Sequence, residues 1–93
     1  TKMAYQVIVT AVGKNRPGVL AELTTCIARE GANIMDISQK MMRDFFNLMM
    51  IVELAQGQKQ FARFKSKLEE LGRKKGYQVN VQHEKIFRYM HRI

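Results

Sequence analysis

The chain is 93 residues long, carries a formal net charge of +8 and is 46% apolar. A domain of that length buries about 60–70% of its extended surface and gains stability from association. No apolar run nears the roughly 18 residues of a membrane span, Thr1-Lys2-Met3-Ala4 has no signal-type apolar region, and the single Cys26 excludes an internal disulfide and accords with a reducing cytoplasm.

From 4 to 12, Tyr5, Val7, Val9 and Ala11 alternate with Gln6, Ile8, Thr10 and Val12. The run is apolar on both sides toward its end, as a central strand requires. Gly13 to Pro17 reads as a turn, after which Leu20, Leu23 and Ile27 recur at helical spacing. A helix is expected from Pro17 or Gly18 to Glu30. Pro17 suits its first turn, where a missing N–H costs nothing, and Gly31 suits the left-handed position beyond its end.

Ala32-Asn33-Ile34 opens a second strand reaching Met42. Its mixture of Asp36, Ser38 and Lys40 with Met35, Ile37 and Met41 fits a sheet edge, where polar side chains discourage stray pairing. After a turn at Arg43-Asp44, a third strand sets Phe46, Leu48, Met50, Val52 and Leu54 on one face. Phe45, Asn47, Met49, Ile51 and Glu53 on the other are too apolar to stay wet. Beyond Ala55-Gln56-Gly57, the spacing of Phe61, Phe64, Leu68 and Leu71 predicts a second helix. It closes at Gly72 or Gly76, with Arg73, Lys74 and Lys75 at the negative end of its dipole. Tyr77, Val79 and Val81 alternate with Gln78, Asn80 and Gln82 in a fourth strand. The tail 83–93, with Ile86, Phe87 and Met90 on one side, is expected to be a short amphipathic helix.

Strand, helix, strand, strand, helix, strand is the order of an α+β, ferredoxin-like βαββαβ sandwich, a four-stranded antiparallel sheet with two helices on one face. We expect a single domain over 1–93, with its core at 4–82 and the helical tail at 83–93. The open face of the sheet then needs a cover, from the tail, a second subunit or both.

No catalytic, metal or cofactor constellation is present, so the chain does not read as an enzyme. Cys26 lies mid-helix beside Ile27, His83 and His91 are eight apart, and Glu69-Glu70 are neighbours that do not face each other. Residues 47–93 hold ten Lys or Arg against four acids. This supports an alternative reading as an interaction module for an acidic protein or nucleic acid, although helical periodicity makes most of these charges a solvated face. The RNA-recognition motif shares the element order but needs exposed aromatics in a Gly-containing pattern. Asp44 stands where that glycine belongs, and Phe45 with Tyr5 makes a weak stacking platform.

The remaining candidate is the junction Val12-Gly13-Lys14-Asn15-Arg16-Pro17-Gly18-Val19-Leu20. Backbone N–H groups at a helix start, with Gly18 allowing close approach, suit a carboxylate, and Asn15 and Asn33 add amides that donate or accept. Each asparagine also has a purely structural use, Asn15 as a helix cap and Asn33 in an Asx turn.

Together with Gly31-Ala32-Asn33-Ile34-Met35-Asp36-Ile37-Ser38, this junction resembles the signature of the ACT domain, a small regulatory module of amino-acid metabolism, and the resemblance covers essentially the whole chain. Asp36-Ile37-Ser38-Gln39 and the tail Ile86-Phe87-Arg88-Tyr89-Met90 are similar to a group of stand-alone ACT proteins related to the glycine cleavage system repressor. The resemblance implies a homodimeric, non-catalytic domain that holds an amino acid at a subunit interface. It places Asn15, Pro17, Gly18 and Asn33 at the ligand, with Ile34 beside Asn33, the Gly18 and Val19 amides facing the ligand carboxylate, and Arg16 on the rim. With no catalytic domain among these residues, the signal is expected to pass to a separate protein partner.

Overall fold

The computed structural model describes residues 5–85. They form β1 (Tyr5–Lys14), α1 (Val19–Arg29), β2 (Ala32–Met42), β3 (Phe45–Leu54), α2 (Gln58–Lys75) and β4 (Gln78–His83). The strands lie in the order β2-β3-β1-β4 and every neighbouring pair is antiparallel. This is the ferredoxin-like sandwich expected from the element order, with β1 central and β2 at an edge. His83, assigned to the tail from the sequence, closes β4 instead, because it pairs with Val7. The helix expected to continue through Ile86, Phe87 and Met90 lies outside the described residues.

The core follows from period-2 alternation. Val7, Val9 and Ala11 of β1, the five even-numbered residues of β3 from Phe46 to Leu54, and Val79 and Val81 of β4 face the helices. They pack there against Val19, Leu23 and Ile27 of α1 and Phe64 and Leu68 of α2. The opposite set on β3 faces away, and Phe45 and Met49 remain 53% and 37% exposed.

Two turn assignments shift, and a third settles on one of its two expected positions. The first helix starts at Val19, because Gly18 precedes it at φ 90, a left-handed conformation outside the helix; Pro17 therefore lies before the helix, not in its first turn. The second ends at Gly76, also at φ 90, where the N–H groups of Gly76 and Tyr77 both donate to the Gly72 carbonyl. Gly13 is not a turn residue but sits in β1 opposite Phe46. Its role, like that of Gly72 within α2, is to leave space. A Cβ on Gly13 would fall 2.5 Å from Tyr77 Cβ, and one on Gly72 would fall 2.6 Å from the Tyr77 carbonyl oxygen. The backbone entering β4 is thus clasped between two glycines.

One irregularity shapes the edge. In β2, Ile34 pairs with Val52 but Asp36 pairs with Ile51, so Met35 is extruded as a β-bulge. Ala32 and Ile34 pack onto the core before the bulge. After it, Ile37, Gln39 and Met41 take the helix-facing phase opposite Met50, Leu48 and Phe46. Ile37 and Met41 nonetheless stay 42% and 53% exposed, because no helix covers that half of the strand.

Candidate ligand groove at the β1–α1 junction

The uncovered half of β2 forms one wall of a groove of about 440 Å³. The junction from Asn15 to Leu20 forms the other wall, and Gln39, Met41 and Phe46 complete the lining. The Asn15 N–H donates to the Asp44 carbonyl at 2.6 Å, which anchors the start of the junction to the β2–β3 turn. No side chain caps α1, so Asn15 does not serve as the helix cap. The first intrahelical bond runs from the Glu22 N–H to the Gly18 carbonyl at 2.9 Å, leaving the preceding N–H groups without helical partners at the positive end of the dipole.

Arg16 is held in a compact charge cluster. Its Nη2 donates to Glu22 Oε1 at 3.0 Å and its Nη1 to Glu22 Oε2 at 3.3 Å, a bidentate pair. A further bond from Nη1 reaches the Pro17 carbonyl at 3.2 Å. The guanidinium carbon lies 5.8 Å from the centroid of the Tyr77 ring, and the Tyr77 hydroxyl donates to Glu22 Oε1 at 3.2 Å. The hydrogen bond from Arg16 holds the Glu22 carboxyl below its usual range, and the same bond raises Arg16 above its own. Burial, with the nearby Glu22 charge adding to it, pushes the Tyr77 phenol up to about 12.

The structure gathers five of the seven candidate residues, Asn15, Arg16, Pro17, Gly18 and Val19, into this groove. Asn33 and Ile34 lie elsewhere in the chain. Asn33 stands within β2 opposite Glu53, so it forms no Asx turn; its Nδ2 donates to Met35 Sδ at 3.5 Å. It lines a separate groove of about 380 Å³ with Tyr5, Gly31 and Glu53 among its walls. Lys14 pairs with Phe45 at the other end of β3, so eight residues of extended chain, about 27 Å, separate the two asparagines. Sequence reasoning missed Glu22, Gln39, Met41, Phe46 and Tyr77 as groove or cluster residues. Only Glu22 had a local signal, an acid in the first turn of a helix.

Elsewhere the chemistry is quiet. The Cys26 thiol is half-buried, and burial raises its pKa. Among the described residues no three His, Cys, Asp or Glu side chains cluster as a metal site, and no helix is long and apolar enough to cross a membrane. On α2, Arg63 pairs with Glu30 at 3.0 Å and Lys65 with Glu69 at 2.6 Å, so part of the basic charge is matched locally.

Residues 5–82 match the family model described as ACT domain. A UPF0237 protein of Methanococcus maripaludis is 45% identical over 87 residues, covering 94% of this chain and 97% of that one. An ACT domain protein from Streptococcus pneumoniae superimposes with a TM-score of 0.80 at 33% identity, over 91% of this chain and 96% of its own. A putative glycine cleavage system transcriptional repressor shares the fold with a TM-score of 0.78 at 24% identity. The match covers 88% of this chain and 47% of the repressor.

Proposed function

Because the chain belongs to the ACT domain family, we propose that it is a non-catalytic regulatory domain that binds an amino acid in the β1–α1 groove, at a homodimer interface, and signals to a separate protein. The observation that carries this reading is the uncapped start of α1 opening onto a groove whose far wall is an unpaired sheet edge. The free N–H groups before Glu22 receive the ligand carboxylate, as a helix N-terminus favours, and the Asn15 amide orients its polar groups. Gly18 allows the approach: a Cβ there would meet nothing within 4 Å.

Asn33 joins this site only from a second copy. A two-fold axis that runs two β2 edges antiparallel, centred near Ile37, brings the 32–34 segment of the partner subunit alongside Met41, which lines the groove. Each dimer then holds two sites, each built from both chains.

The decisive experiment is complementation. Asn15→Ala and Asn33→Ala homodimers are each expected to lose amino-acid binding by calorimetry. A mixed dimer of the two variants keeps one intact site and recovers half the wild-type stoichiometry. Failure of the wild-type dimer to bind any of the common amino acids would refute the reading. Binding that survives in both single variants would remove the asparagines from it.

A further inference from the structure

The lining of the groove is informative about what it accepts. Arg16 is the one ionisable side chain among the described residues that line it. Its charge is already matched by the bidentate Glu22 pair and stacked against Tyr77. Apart from the Asn15 amide, already given to the ligand's polar groups, most of the remaining side-chain surface is apolar: Leu20 and Met41 are 37% and 53% exposed, while Val19 and Phe46 lie nearly buried beneath them. Gln39, the remaining polar wall residue, has its Nε2 directed to Met41 Sδ at 3.6 Å.

Resting on the amino-acid reading above, we propose that this groove selects amino acids with an uncharged, apolar side chain. We further propose that Glu22 sets the preference by cancelling the charge of Arg16. A ligand carrying a second carboxylate must either stay unpaired in the groove or compete with Glu22 for Arg16, giving up the bidentate pair. A cationic side chain meets Arg16 first. Glycine and serine leave Leu20 and Met41 wet, and each methylene they lack forfeits about fourfold in affinity if buried. Glu22 is therefore a positioning residue that acts on specificity through Arg16.

The test is calorimetry of the wild-type dimer and of Glu22→Gln with leucine, methionine, glycine, serine, lysine, aspartate and glutamate. Wild type is expected to bind leucine or methionine at least about tenfold tighter than aspartate, glutamate or lysine. In Glu22→Gln, which frees Arg16, affinity for aspartate or glutamate should rise about tenfold while leucine changes by less than about threefold. Arg16→Gln, with no charge left to expose, should keep the preference for leucine over the acids. That variant tests the proposal if Glu22→Gln does not fold. Preference of the wild type for glycine, serine or a charged amino acid overturns this specificity and leaves the amino-acid reading standing. So does a Glu22→Gln ratio unchanged from wild type, or a preference for acids in folded Arg16→Gln. A wild type that binds none of the common amino acids overturns both.

Discussion

Gly72 lies in the last turn of α2, which ends at Lys75, and replacing glycine with alanine in an unconstrained helix interior stabilises by about 1 kcal/mol. The structure predicts the opposite sign. The alanine Cβ would stand 2.6 Å from the Tyr77 carbonyl oxygen and 2.8 Å from Val79 Cγ2. Val79 could turn, but the Tyr77 backbone cannot retreat. On its far side Tyr77 packs close against the Gly13 backbone, where an added Cβ would stand 3.3 Å from Tyr77 Cα. Overpacking against such a neighbour belongs at the upper end of the usual range, about 3 kcal/mol. Set against the helical gain, Gly72→Ala should destabilise by about 2 kcal/mol, a fall of about 8–16 °C in Tm for a domain of this size. Thermal unfolding followed by circular dichroism measures the shift, and urea unfolding with an unchanged slope confirms a change in stability without a change in the surface exposed on unfolding. A variant as stable as wild type, or more so, would refute the clasp on Tyr77.

Two further outcomes follow from buried polar groups. Gln60 is 8% exposed; its Nε2 donates to the Glu30 carbonyl and its Oε1 accepts from the Gln56 N–H at 3.0 Å. Gln60→Leu leaves both backbone groups unpaired and should cost about 1–3 kcal/mol by urea unfolding; a loss below about 0.5 kcal/mol would mean water replaces the amide. Tyr77 supplies a pH signature. Its folded pKa is raised from 10 to about 12, so the stabilisation is present below pH 10 and is lost as pH rises through about 12. Absorbance at 295 nm should show one late tyrosinate step that Tyr77→Phe removes. Glu22→Gln should lower that step only partly, since burial is the larger cause. The depressed Glu22 carboxyl works at the acid end, contributing above the ordinary carboxylate pKa and losing its contribution as pH falls through its folded value.

The sheet was legible because each strand has a face to fill. Phe46 to Leu54 alternate without a break, and their even positions are the buried ones. Charged and polar residues at Asp36, Ser38 and Lys40 marked the edge strand. The glycines were less legible, since residue type alone does not say which property of glycine is in use. Gly18 and Gly76 are used for positive φ, which local sequence suggests. Gly13 and Gly72 are used for the missing Cβ, and the atom that requires it belongs to Tyr77, which follows the helix and packs back across β1. Nothing near Gly13 in the sequence announces that neighbour.

The groove shows the same limit in a form that bears on function. Asn15 to Val19 were readable because they form one continuous turn. The opposite wall depends on the phase of β2, and that phase depends on one residue. An unbroken strand with Ile34 facing the helices would also turn Asp36, Ser38 and Lys40 toward them, because a strand alternates strictly. The groove would then present the Lys40 amine, in place of Met41, opposite the junction. Extruding Met35 reverses the phase, so Ile37, Gln39 and Met41 face the helix side while Asp36 and Lys40 pair on the open face with Ile51 and Asn47. The bulge thus keeps the Lys40 charge off the groove wall, and the Glu22 pair neutralises the one that remains, that of Arg16. Two unrelated devices, one in backbone register and one in side-chain pairing, leave the same uncharged groove, and that agreement is why its chemistry favours an apolar ligand.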